Sequence, residues 1–224
     1  MRAALAALGL ALLAAFAVAV ATHLPLPGPG GAATPASTAG LDRLQALPLQ
    51  AQSVISSTMA ADSRAFAARR TASGWGLQGG GVRADFAGHE PTLTVAGRSA
   101  LSLSLLGVPA PSAVTAHSNR VTLARPGIRE WYAAGPLGIE QGFTLAHRPA
   151  GLASGHQLTL ALAVDGSLHA QPSAAGIAFV SAHGQTVARY GGLTAVDAVG
   201  RHLPATLSVA HGRVRISVND RGAR

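Results

Sequence analysis

From Gly74 to the C-terminus, apolar residues return at every second position in short runs, and Gly, Pro, Asp or Asn separates one run from the next. The runs include residues 81–86, Leu93 and Val95, Leu101 to Leu105, Val121 and Leu123, 128–132, 143–145 and Leu158 to Val164. They continue through 177–180, 186–190, 193–196 and 206–209, and end on Val214, Ile216 and Val218. A period of two sends alternate side chains to opposite faces of a strand. In the last run Arg213, Arg215 and Ser217 alternate with the apolar residues, so one face is oily and the other cationic. No helix-length segment lies between runs, which disfavours a parallel sheet with crossover helices. The pattern predicts a mainly β fold, an antiparallel β-sandwich-like domain over residues 74–224. Asp165-Gly166 and residues 197–200 read as hairpin turns.

The first 73 residues read differently. Residues 41–73 form a helical lead-in, with Leu44, Leu47, Val54, Ile55, Met59 and Phe66 as a partial amphipathic stripe and Pro48 near its start. Residues 22–40 are rich in Pro, Gly and Ala and read as a flexible linker. Residues 3–21 are apolar throughout and follow Met1-Arg2. As a helix they would be roughly 28 Å long, close to the width of a bilayer core. Ala19 and Ala21 fit a cleavage site after Ala21. The segment therefore reads as a signal peptide or a retained membrane anchor, and either places the rest of the chain outside the cytoplasm. Membrane contact is expected only through this N-terminal helix.

The charge balance removes several chemistries. All 17 basic residues are Arg, against 9 acidic residues, for a net charge of +8. Without Lys there is no phosphate-loop lysine, Schiff base or Ser-Lys dyad. Without Cys there is no disulfide, thiolate metal site or Cys nucleophile. The excess positive charge suits anionic partners such as a cell-wall polymer. The arginines are scattered and aromatics are 4% of the chain, so no nucleic-acid partner is expected.

The motifs that resemble chemistry fail on context. Residues 74–79 match G-x-G-x-x-G, but a helix precedes them and a strand follows, the reverse of a dinucleotide site. Nine His are present, with no two spaced by two to four residues, so no metal site is expected. His89-Glu90-Pro91 starts like H-E-x-x-H, but Leu93 stands where the second His belongs. No G-x-S-x-G elbow occurs. Glu130 and Glu140 would make a glycosidase pair only if the fold brought them within roughly 5–10 Å. No catalytic residue, cofactor or metal is assigned, and the chain reads as non-enzymatic.

Three blocks carry a family resemblance: residues 130–143, residues 189–197 with 200–204, and residues 218–224. Together they resemble the N-terminal β-rich module of large secreted bacterial proteins, which precedes integrin-like FG-GAP, other β-propeller, or Ig-like repeats. Residues 49–77 are similar to that family's lead-in helix and first strand. The resemblance implies a non-catalytic extracellular module, a structural or adhesive scaffold whose partner is a downstream repeat domain. It also implies a further strand beyond Arg224, and a chain lacking that strand is expected to be marginal or prone to aggregation. Within the first block, Glu130, Trp131, Tyr132, Gly135, Pro136, Glu140, Gly142 and Phe143 are expected to build a structural corner with aromatics packed inward. Gly191, Gly192, Asp197 and Gly200 are expected in turns. Two alternatives stand beside the scaffold: a glycan-binding module with Trp75, Trp131 and Tyr190 as an exposed platform, and a secreted hydrolase.

Overall fold

In the computed structural model of the chain, the described residues are 10–17, 43, 46–47, 49–87, 90–95, 97, 99–149, 152–155 and 157–223. The expected linker, residues 22–40, lies outside them. The described elements are β1 (Leu10–Ala17), α1 (Leu49–Ala60), β2 (Arg69–Thr71), β3 (Gly74–Gly79), β4 (Val82–Phe86), β5 (Thr92–Val95), β6 (Ser99–Leu105), β7 (Ala113–His117) and β8 (Arg120–Arg125). They continue with β9 (Ile128–Gly135), β10 (Gly138–Leu145), β11 (Ala153–Ser154), β12 (Gln157–Gly166), β13 (His169–Ser173), β14 (Gly176–Val180), β15 (Thr186–Val196), β16 (Ala205–Ala210) and β17 (Arg213–Asn219).

The strands form two antiparallel sheets. The first runs β13-β14-β15-β1-β10-β9-β8-β7, the second β16-β17-β12-β6-β5-β4-β3-β2, with β11 paired to β12. The alternation of the sequence becomes alternate burial. Val82, Ala84 and Phe86, Leu158, Leu160 and Leu162, and Val214, Ile216 and Val218 are buried, while Arg83, Arg213 and Arg215 between them are exposed. These rows meet residues of the first sheet in one apolar core. Phe86 touches Tyr132 edge to face across the two layers, at 5.2 Å between ring centroids. The mainly β, sandwich-like architecture read from the pattern is the fold observed.

The β9–β10 hairpin departs from simple alternation, because nearly every residue in it is buried. Its inner face meets the second sheet. Its outer face lies under α1, which also contacts β15 and β1. Two glycines permit this cover. A Cβ at Gly142 would stand 2.1 Å from Trp131 Cζ2, and one at Gly135 would stand 2.4 Å from Ser56 Oγ of the helix. The block expected to be a corner forms the β9–β10 hairpin, with Gly135 paired to Gly138 around Pro136 and Leu137.

Several local expectations are corrected. The helix ends at Ala60 instead of reaching residue 73, and single turns follow, with Ser63 N bonded to Ala60 O and Phe66 N to Ser63 O. Phe66 and Ala68 pack on the core, and Ala68 N donates to Ser118 O at 2.7 Å, so tertiary contact overrides alanine's helix propensity. Residues 10–17 of the expected leader helix form a strand between β10 and β15. A short, wholly apolar run suits a central strand as well as a helix, and periodicity cannot separate them. Asp165 and Gly166 close no hairpin. They pair with Ser102 and Leu101, and the chain then crosses to the first sheet. Gly191 and Gly192 lie inside β15, where the register with β1 shifts, rather than in a turn. Gly192 has φ +69°, as a bulged residue requires.

Gly142→Val drives a branched side chain into the Trp131 indole. Urea unfolding should show a loss of about 1–3 kcal/mol. A change below about 0.5 kcal/mol, the range of inert surface substitutions, would contradict the close approach.

Candidate functional site

The polar residues of the resemblance block fall into two groups, because successive residues of β9 and β10 face opposite ways. Glu130, Tyr132, Gln141 and Phe143 face the inner core, while Trp131, Ala133, Glu140 and Gly142 face α1. Glu130 and Glu140 are thus divided by the sheet, and the glycosidase pair is not assembled.

On the inner face, Glu130, Tyr132, Gln141 and Tyr190 are fully buried. Tyr132 O–H donates to Glu130 Oε1 at 2.6 Å, and Gln141 Nε2 donates to the same oxygen at 2.8 Å and to Tyr132 Oη at 2.7 Å. Tyr190 O–H donates to Gln141 Oε1 at 3.1 Å. Arg125 approaches Glu130 Oε2 through Nη2 at 3.2 Å and donates from Nη1 to Pro109 O at 2.7 Å. Its Nη2 also bonds Glu90, which is only partly buried. This network joins β8, β9, β10 and β15 inside the sandwich. Burial pushes the Glu130 carboxyl above the ordinary carboxylate range, outweighing the opposing pull of Tyr132, Arg125 and Gln141. Burial and the neighbouring Glu130 likewise push both tyrosines upward.

On the outer face, Arg120 lies over the Trp131 ring at 3.9 Å from its centroid. Ser57 Oγ donates to Glu140 Oε2 at 2.6 Å. Burial raises the Glu140 carboxyl, against Ser57 and Arg120, and it lowers Arg120. Asn119 Nδ2 donates to Ser57 O at 2.8 Å and to Ala134 O at 2.7 Å. Ser56 Oγ accepts from Leu137 N at 3.1 Å. These bonds staple the helix to the hairpin. Beside them opens a cavity of about 540 Å³, with Ser57, Thr58, Asp62, His117, Asn119 and Arg120 in its lining. Of its polar groups, Ser57 and Asn119 serve the staple, and the Ser57 hydroxyl donates to the Glu140 carboxylate.

The other sequence candidates are dispersed. Trp131 and Tyr190 are buried, which removes them from a glycan platform. Trp75 is half-buried, with the Arg70 guanidinium 4.5 Å from its ring centroid. Residues 74–79 are strand β3, and a Cβ at Gly79 would stand 2.4 Å from Gly135 O, so that glycine serves contact between layers. Asp197 and Gly200 sit in a turn where Asp197 Oδ1 accepts from Val199 N at 3.1 Å and Arg201 N at 2.9 Å. His23, His89 and His156 lie outside the described residues. Among the described residues, no three His, Asp or Glu gather as metal ligands, and no helix is long and apolar enough to cross a membrane.

Sequence reasoning missed Arg125, Gln141, Asn119, Ser56, Ser57 and Arg120. Parity could have found the first two. Arg125 follows Val121 and Leu123 at the inward spacing, and Gln141 lies between Ile139 and Phe143 on the same face. No protein-family model, characterised protein or solved structure matches the chain.

Glu130→Gln tests the inner network. A carboxyl whose pKa is raised on folding contributes stability below its unfolded value, about pH 4, and loses that contribution as pH rises through the folded value. Wild type should therefore lose stability relative to Glu130→Gln as the pH rises above about 4. Thermal unfolding across that range measures it, and a pH-independent gap or one of opposite slope would contradict the reading.

Proposed function

We propose that this chain is a non-catalytic, exported β-sandwich module, a structural or adhesive scaffold at the bacterial cell surface. It would hold and space a downstream repeat domain, as the resemblance to the N-terminal module of FG-GAP-associated secreted proteins implies. One observation carries this reading. The polar residues of the block 130–143 are spent inside the protein, the inner ones bonded to one another and Glu140 to the covering helix. A side chain that binds substrate needs a face turned toward it, and Glu130, Tyr132, Gln141 and Tyr190 have none. The net charge of +8 suits an anionic wall polymer as environment. The apolar residues 3–21 after Met1-Arg2 supply the export signal.

The test is where the chain resides. Expressed in a bacterium with a C-terminal tag, it should fractionate outside the cytoplasm, and intact cells should lose the tag to added protease. Its N-terminus should begin at Thr22 if the leader is cut, or at Met1 if it is an anchor. A chain confined to the cytosol with Met1 retained would overturn the proposal.

A further inference from the structure

We propose that the space between β10 and β15 is a strand-acceptor slot. Once the leader is removed, it takes an extended apolar strand donated by a partner polypeptide, antiparallel to both walls. The inference rests on the export reading, because a cut after Ala21 removes β1 from the middle of the first sheet.

β1 pairs with β10 over eight residues, from Leu10↔Leu145 to Ala17↔Gly138, and with β15 from Ala11↔Val196 to Ala15↔Gly191. Without it, two rows of backbone N–H and C=O groups would face each other in the interior. Each unpaired buried group costs about 1–3 kcal/mol, so the gap must either close or fill.

Two features oppose closure. Both walls are antiparallel to β1, so they run parallel to each other, and closing them would set a parallel pair inside an antiparallel sheet. The walls are also braced apart. Tyr190 on β15 reaches across the inner face to Gln141 on β10, and its hydroxyl sits 3.1 Å from Oε1. That span covers two strand spacings, about 9.6 Å. α1 contacts both walls from the other side.

The slot's chemistry selects its occupant. On the inner face its walls carry the buried residues Ile139, Gln141, Phe143 and Tyr190, and α1 covers the outer face. A fitting strand is uncharged and apolar on both faces, and it contains no proline at a ladder position. Main-chain bonds to both walls would give affinity, as in strand addition to a sheet.

The experiment uses the full chain with a protease site placed in residues 25–40. After cutting, the N-terminal piece is displaced in mild urea, its loss is verified by mass, and the remainder is returned to buffer. Labelled peptide of the Leu10–Ala17 sequence with flanking arginines is then added, or the same peptide carrying Leu13→Pro. The expected result is uptake of one unmodified peptide per chain, with at least about tenfold less of the proline peptide. Amides of residues 138–145 and 186–196 should exchange slowly with the first peptide and at least about tenfold faster with the second. Equal uptake of both peptides would overturn the slot. So would slow exchange with neither bound, or a chain that precipitates despite the unmodified peptide. A chain that keeps Met1 in cells, in the cytosol or as an anchor, would overturn the partner slot together with the cleaved-leader reading, because β1 then stays between β10 and β15. Export without uptake would remove the slot alone.

Discussion

The β9–β10 hairpin is buried on both faces, and most of the structure answers that constraint. An ordinary strand in a two-layer sandwich turns one face to water and can place any polar residue there. Apart from Arg129 and Thr144 near its open end, this hairpin has no wet face. Each of its buried polar side chains must find a protein partner or leave a costly unpaired group. Glu130, Tyr132, Gln141 and Tyr190 meet the demand on the inner face by bonding to one another, and Arg125 closes the set from β8. On the outer face Glu140 meets it through Ser57 of the helix. The helix is consequently the cover of that outer face, and Gly135 and Gly142 remain without side chains so that it and Trp131 can lie close.

The sheets were legible because their signal is local. Val82, Ala84 and Phe86, or Val214, Ile216 and Val218, record burial in their own spacing, and turn residues mark where each run stops. What stayed hidden depended on residues distant in the chain. Nothing near Ala61 tells that the helix stops there, because the competing contacts come from Ser118 and the core around Phe66 and Ala68. Residues 10–17 are apolar on every side, a pattern shared by a membrane helix and a central strand, and only the neighbours β10 and β15 separate the two. The short strands Ala113–His117 and His169–Ser173 carry little apolar alternation and lie at the outer ends of the first sheet.

The candidate site was half legible for the same reason. The block of residues 130–143 is conspicuous for its aromatic, acidic and glycine content, which reads as a structural corner with Glu130 and Glu140 as a conceivable carboxylate pair. Its alternation already held the answer. Glu130 and Glu140, ten positions apart on two strands of one hairpin, fall on opposite faces once Gly135 pairs with Gly138, so no single cleft receives both. What parity cannot supply is the partner. That Gln141 bonds Glu130 and Tyr190, or that Asn119 bonds Ser57, follows from the register of four strands and the seat of one helix.

Hydrogen exchange resolved by residue most directly tests whether the doubly buried hairpin is the centre of the fold. Amides of Ile128–Gly135 and Gly138–Leu145 should exchange only through global unfolding, with opening free energies equal to the denaturant-derived stability and unchanged from one end of the hairpin to the other. Exchange of these amides through a local opening, while Leu158 to Leu162 and Val214 to Val218 stay protected, would contradict it.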